Sequence, residues 1–290
     1  MHAHGSHNPF DVWNLVNPTT LLLILAVGVL YLMVTGPWRH RWGENLEAPT
    51  TKQRFLFFSG LAFLYVSGGP LHSFGHLLFS AHMLEMSFDY LVAPPLLMLG
   101  LPAWFYRPLF RGRVRKRIFS VLTHPLLTLL TFNGLMSVYH LPLVFDTIMT
   151  SGWLMTVAHT VLLISSFMMW WPMTCPLPER DQLSPLQKMA YIFADGVLLT
   201  PACAMIAFSQ ILLFDTYQGA PQVFAFLSHL HDQSAGGVLM KIVQEIAYGT
   251  VLGRTFFRWV REQREQDRKE EEEDRTRSLQ TAPHSPVYGN

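Results

Sequence analysis

Seven apolar stretches dominate the chain and leave few folds open to it, at 19–35, 54–69, 80–101, 121–141, 151–171, 189–214 and 235–257. A helix needs roughly 20 mainly apolar residues to cross about 30 Å of hydrocarbon. Within lipid every backbone polar group must find its partner inside the structure, which restricts spanning elements to helices and closed barrels. The expected fold is all-α: a polytopic membrane protein with a bundle of seven transmembrane helices over 19–260. An outer N-terminal segment, 1–18, precedes it, and a charged, partly disordered tail, 261–290, follows. The second stretch is the shortest and extends to His72 if the helix continues past Pro70. The first has no basic run before it and no small-residue cleavage site after it, so a retained span is expected rather than a signal peptide.

Charge placement sets the direction of the spans. Only 14% of residues are charged, against about 25% in soluble domains, and eight of the 20 acidic residues crowd between Glu262 and Asp274. Lys and Arg are retained on the cytoplasmic side. Of 21 basic residues, all but Lys241 fall between spans one and two, three and four, five and six, or after the seventh. The N-terminus is therefore expected outside and the C-terminus in the cytoplasm. Trp13, Trp38, Trp104, Trp170, Trp171 and Trp259 lie near span ends, where amphipathic rings favour the interface. A formal net charge of +1 gives no reason to expect nucleic acid. Two cysteines are too few for a disulfide framework.

With that topology, nine of the 13 histidines (His2, His4, His7, His72, His76, His82, His140, His229 and His231) gather on the side without Lys or Arg. Neutral imidazole ligates copper, zinc and iron, and nearby cations oppose binding. The densest group is His72, His76 and His82 with Met83 and Met86. A helix through 71–78 puts His72 and His76 four apart on one face. On the third span His82, Glu85, Met86 and Asp89 follow i, i+3, i+4, i+7 spacing and form one stripe. Thioether with imidazole suits Cu(I), whereas imidazole with carboxylate suits Cu(II) or zinc. His229, His231 and Asp232 form a second candidate group, with His140 and His159 behind it. The bland reading is that these histidines satisfy interfacial carbonyls and the methionines fill gaps in the core.

Charged groups within spans are costly and face a protein interior or an aqueous cavity. Lys241 lies at a depth comparable to Glu85 and Asp89, which predicts a salt bridge between the seventh and third spans. Pairing of Lys241 with Glu245 along their own helix is the other option. Pro94 and Pro95 should kink the third span, and Pro201 the sixth, freeing carbonyls at membrane depth.

The run His82-Met83-Leu84-Glu85-Met86, continuing through Tyr90-Leu91-Val92-Ala93-Pro94-Pro95-Leu96 to Gly100-Leu101-Pro102, resembles the CtaG family of assembly factors for caa(3)-type cytochrome c oxidase. Trp170-Trp171-Pro172, and Asp232-Gln233 followed by Ala235-Gly236-Gly237 and Met240, are similar to that family's pattern at their positions. The resemblance implies a seven-helix protein of the bacterial plasma membrane that acts in oxidase maturation at the copper-delivery stage. Oxidase subunits, an extracytoplasmic copper chaperone and the lipid bilayer are its implied partners. His72, His76, His82, Met83, Met86 and Asp232 fall on the motif, whereas His229 and His231 do not. Copper in a site of two or three ligands near the outer mouth is the expectation. Three competing readings are a haem-binding cytochrome using His82 and His140, a metal transporter, and an assembly scaffold without metal. The transporter would use His159, Cys203 and Met205, then Met168, Met169, Met173 and Cys175, as successive stations. No hydrolase triad, phosphate loop or nucleotide motif occurs, so enzymatic activity is not expected.

Overall fold

The computed structural model describes residues 10–43 and 46–281, with side chains as far as 277. His2, His4, His7 and His284 lie outside the described residues. All regular structure among the described residues is helical. The main helices are α1 (Pro18–Thr35), α2 (Thr51–Gly75), α3 (Phe79–Gly100), α4 (Arg113–Leu122), α5 (Pro125–Tyr139), α6 (Pro142–Met149), α7 (Gly152–Thr174), α8 (Pro185–Phe208), the short α9 (Asp215–Gln218) and α10 (His229–Thr281).

Four helices are each long and apolar enough to cross a membrane: Val12–Thr35, Thr51–Gly75, Gly152–Thr174 and Pro185–Phe208. The number rises to six if Phe79–Gly100 with Ala103–Phe110 and Arg113–Leu122 with Pro125–Tyr139 each count as one span. The second pair replaces the single span expected at 121–141. Pro125 forces His124 out of the helical region, to φ −67°, ψ 126°, and the axis bends by 54°. The seventh stretch lies inside α10, a continuous helix of 53 residues whose apolar run is interrupted by Lys241, Gln244 and Glu245.

The prolines act unevenly. Pro94 has no N–H for the carbonyl of Tyr90, and α3 widens into a π-turn over Phe88–Val92. The stranded Tyr90 carbonyl accepts instead from Trp170 Nε1 at 3.0 Å and Ser166 Oγ at 2.5 Å, both on α7. A second π-turn, Ser67–Leu71, contains Pro70. There the Gly68 carbonyl accepts from Asn17 Nδ2 at 2.8 Å and Thr20 Oγ1 at 3.2 Å. Pro201, by contrast, sits inside α8, which stays α-helical from Pro185 to Phe208 without a π-turn.

One continuous core runs through α3, α5, α7, α8 and α10, with Trp170, Tyr90, Phe132 and Met169 fully buried. α8 and α10 approach closely at Gly237, where a Cβ would lie 2.8 Å from the backbone nitrogen of Ala207. The Lys241 bridge to Glu85 or Asp89 does not form. Lys241 Nζ pairs with Glu245 at 2.7 Å and donates to Thr200 Oγ1 at 2.8 Å on the adjacent α8. α8, not α3, faces that side of α10, so the cation finds its partners there.

The connections segregate between the two ends of the bundle. At one end Arg107 meets Glu179 at 3.2 Å, Arg180 lies over Phe110 and Lys188 pairs with Asp181 at 2.5 Å. At the other, the α2–α3 turn, α6, α9 and the start of α10 converge around Phe79, Phe145 and Phe214.

Candidate functional site

A cavity of about 190 Å³ opens at the end bearing the α2–α3 turn. Contacts from segments distant in the sequence shape its walls. At the α2–α3 turn, Leu78 takes extended φ/ψ and α3 restarts at Phe79 with no cap of its own. The missing cap comes from α10. Asp232, 2% exposed, accepts from Phe79 N at 2.6 Å and Ser80 N at 3.3 Å, and also from the Ser80 hydroxyl. It therefore satisfies the amides left open at a helix start. Tyr217, on α9, donates to the Gly75 carbonyl at 2.6 Å. Burial holds its phenol pKa well above the usual value, so it remains a donor.

The α2–α3 wall presents His72, His76, His82 and Glu85 to the cavity. His72 Nδ1 lies 2.9 Å from Glu85 Oε1, and the His72 and His76 rings meet edge to face with centroids 5.0 Å apart. Close approach of α2 and α3 within this wall depends on Gly75: a Cβ there would sit 2.8 Å from Glu85 Oε2. The α6–α7 wall contributes Met149, Met155, Thr156 and His159. Tyr139 joins the walls, its hydroxyl lying 3.2 Å from His82 Nε2 and 3.3 Å from His159 Nε2. Which partner donates depends on the imidazole tautomers.

The predicted residues thus divide. His72, His76 and His82 come together in the cavity, as their spacing suggested. Met83 and Met86 are fully buried core residues that do not line it, and Met83 packs where Gly236 of α10 approaches. Asp232 serves as a cap. His229 is half-buried and His231 exposed, and neither lines the cavity. His140, offered as a haem partner for His82, turns its Nδ1 to the Met136 carbonyl at 2.8 Å. Cys203 lines a separate groove between α8 and α10. Sequence reasoning passed over Met149 and Met155 and ranked His159 low. A readable signal existed, since Met155 and His159 stand at i, i+4 on one face of α7.

The donor set is four imidazoles, two thioethers and one carboxylate, with no Lys or Arg among the lining residues. Among the described residues no three His, Cys, Asp or Glu side chains converge as a ready metal site. A closed, high-coordination centre of the structural zinc type is therefore not preformed. A soft ion satisfied by two or three imidazole and thioether ligands suits what is present.

Fold and site together define a class: a multi-helix membrane protein with an imidazole- and thioether-lined cavity at one end of its bundle. Residues 29–262 match the family described as cytochrome c oxidase caa3 assembly factor, Caa3_CtaG, and the chain belongs to that family. No curated protein and no solved structure matched the chain. The matched range includes the whole His82–Pro102 run, Trp170-Trp171-Pro172 and the Asp232–Met240 segment.

Proposed function

We propose that this assembly factor holds Cu(I) in the cavity and passes it to the oxidase on the outer side of the bacterial plasma membrane. The carrying observation is the donor set itself: imidazoles from α2 and α3 face the thioethers and His159 of the α6–α7 wall across a cavity that no Lys or Arg lines. Copper is the cargo, not a resident cofactor. His82 and His159 would supply nitrogen, with Met149 or Met155 supplying sulfur. Glu85 would orient His72 at the mouth, as a carboxylate does for a ligating imidazole. An incomplete ligand set suits transfer, because a partner's ligand can enter before the first ones leave. An extracytoplasmic copper chaperone would load the site, and oxidase subunits would receive the ion.

The same reading places seven spans in the bilayer, α10 supplying the last, with the N-terminus outside and the C-terminus inside. Its support is the segregation of basic residues to loops that meet at the opposite end of the bundle. Cu(I) titration against a competing chelator, in detergent and under reductant, tests the cargo. The wild-type chain should bind about one equivalent, and a His72→Ala, His82→Ala, His159→Ala chain should lose that binding. Unchanged binding would remove copper from this cavity. Copper content of the oxidase isolated from cells carrying the same variant tests delivery, and cysteine accessibility at 77–78 tests sidedness.

A further inference from the structure

The end of the bundle opposite the α2–α3 turn carries a second, small cleft, of about 60 Å³, where α3 and α7 finish, α8 begins and α10 passes. Its two halves differ in chemistry. Leu99, Met173 and Val251 give it an apolar floor, and Lys188, Arg254 and Arg258 a basic rim. Lys188 is buried and neutralised by Asp181 at 2.5 Å. Arg258 is half-exposed and reaches Glu262 only at 3.7 Å. Arg254 is exposed, and among the described residues no carboxylate lies within ion-pair distance of it. Arg254 and Arg258 are one turn apart on α10, so two like charges share one face without a full counter-charge.

Position in the fold narrows what could neutralise them. The cleft lies at the ends of Phe79–Gly100 and Gly152–Thr174 and near the start of Pro185–Phe208, all segments with membrane-spanning character. Phe256 and Phe257, on the same turns of α10, are exposed, and Trp259 packs on Phe256 with ring centroids 6.1 Å apart, as aromatic rings do at a membrane interface. Arginine forks bind phosphate oxygens, and basic pockets between spans on the cytoplasmic side take acidic lipid headgroups. A free anion would use the rim and leave the apolar floor bare. We propose that this cleft binds the phosphate of an anionic phospholipid, with Arg254 and Arg258 holding the headgroup and an acyl chain lying along Leu99, Met173 and Val251.

Native mass spectrometry of the full chain, released from phosphatidylcholine nanodiscs doped with phosphatidylglycerol, tests the proposal. The wild-type chain should retain phosphatidylglycerol in preference to phosphatidylcholine. Arg254→Gln with Arg258→Gln should lower that retention roughly thirtyfold, the effect expected of two basic contacts. Arg254→Lys with Arg258→Lys should recover much of it, which separates lost charge from lost fold. Arg113→Gln with Arg115→Gln, on exposed α4 at the same end, should change it less than twofold. Equal retention of phosphatidylcholine would overturn the proposal, as would an equal loss from the α4 variant. Undiminished retention in the glutamine variant would do the same. Displacement of the lipid by millimolar inorganic phosphate would make this a free-anion site instead.

Discussion

Replacing Asp232 separates two roles that the sequence alone leaves superposed, metal ligand and helix cap. Its carboxylate closes the start of α3 through Phe79 N at 2.6 Å, Ser80 N at 3.3 Å and the Ser80 hydroxyl. A hydrogen bond to a charged partner contributes about 1.5–3 kcal/mol, and deletion of a helix cap costs about 0.5–2 kcal/mol. The three bonds share one carboxylate and do not add fully, so Asp232→Ala should cost about 3 kcal/mol. Asp232→Asn keeps one acceptor oxygen and should cost about 1 kcal/mol. At about 2–4 °C per kcal/mol, the alanine variant should melt roughly 6–12 °C lower. Near-ultraviolet circular dichroism supplies the assay, because the fully buried Trp170 and Tyr90 lose their fixed packing as the bundle opens. Below its melting point the alanine variant should still bind Cu(I), since the cap lies outside the cavity lining. An unchanged melting temperature with copper binding abolished would refute the capping role and make Asp232 a ligand.

Gly75→Ala should narrow the cavity. Its Cβ would press on Glu85 Oε2 at 2.8 Å and break the His72–Glu85 pair, costing about 1–3 kcal/mol as overpacking does; thermal melting and Cu(I) affinity should both fall. Tyr139→Phe removes the hydroxyl between His82 and His159 and should cost about 1–2 kcal/mol for its two hydrogen bonds. Cu(I) affinity should nonetheless hold or rise, because both Nε2 atoms lose a competitor; a fall would make the hydroxyl a required orienter. Trp170→Phe strips one donor from the Tyr90 carbonyl and leaves Ser166 alone to satisfy it. A loss of about 2–3 kcal/mol is expected, and Ser166→Ala added to it should cost more than Ser166→Ala alone, as a double-mutant melting cycle would read.

Much of the architecture is legible because membrane helices follow rules local to the chain. Apolar length located the helices that make four to six candidate spans, and the start of α1 and the end of α3 each fall within one residue of expectation. The departures have identifiable causes. Pro125 divides one expected stretch into α4 and α5, because the residue before a proline leaves the helical region. Pro94 and Pro201 have the same covalent defect, yet only α3 widens into a π-turn near its prolines. The site was half legible. His72, His76 and His82 are neighbours in sequence, so their spacing carried the information. His159, Met149 and Met155 reach the cavity only through the packing of α6 and α7 against α3, which no local pattern encodes. The Lys241 partner was missed for a related reason. Equal depth placed Glu85 within plausible reach, but which face of α10 meets which neighbour is a tertiary fact.

The motif run on α3 can now be divided by what each part does physically. His82 and Glu85 face the cavity, whereas Met83 and Met86 fill the core beside α10. Tyr90 and Pro94 form a unit with Trp170 and Ser166: the proline withholds its amide, the carbonyl is left open, and α7 supplies two donors to it. That capture ties α3 to the helix that carries His159. Asp232 ties the start of α3 to α10, and Tyr217 ties the preceding turn to α9. Three contacts from three other elements therefore fix the wall bearing His82 before any ion arrives. Residues of the Trp170 and Asp232 segments, far apart in sequence, make sense as supports for one cavity. A scaffold without metal would need the same supports, but it would have no use for thioethers facing imidazoles across the space they hold open. Copper binding by the intact cavity, lost when the imidazoles are removed while the supports remain, is therefore the observation that separates the two.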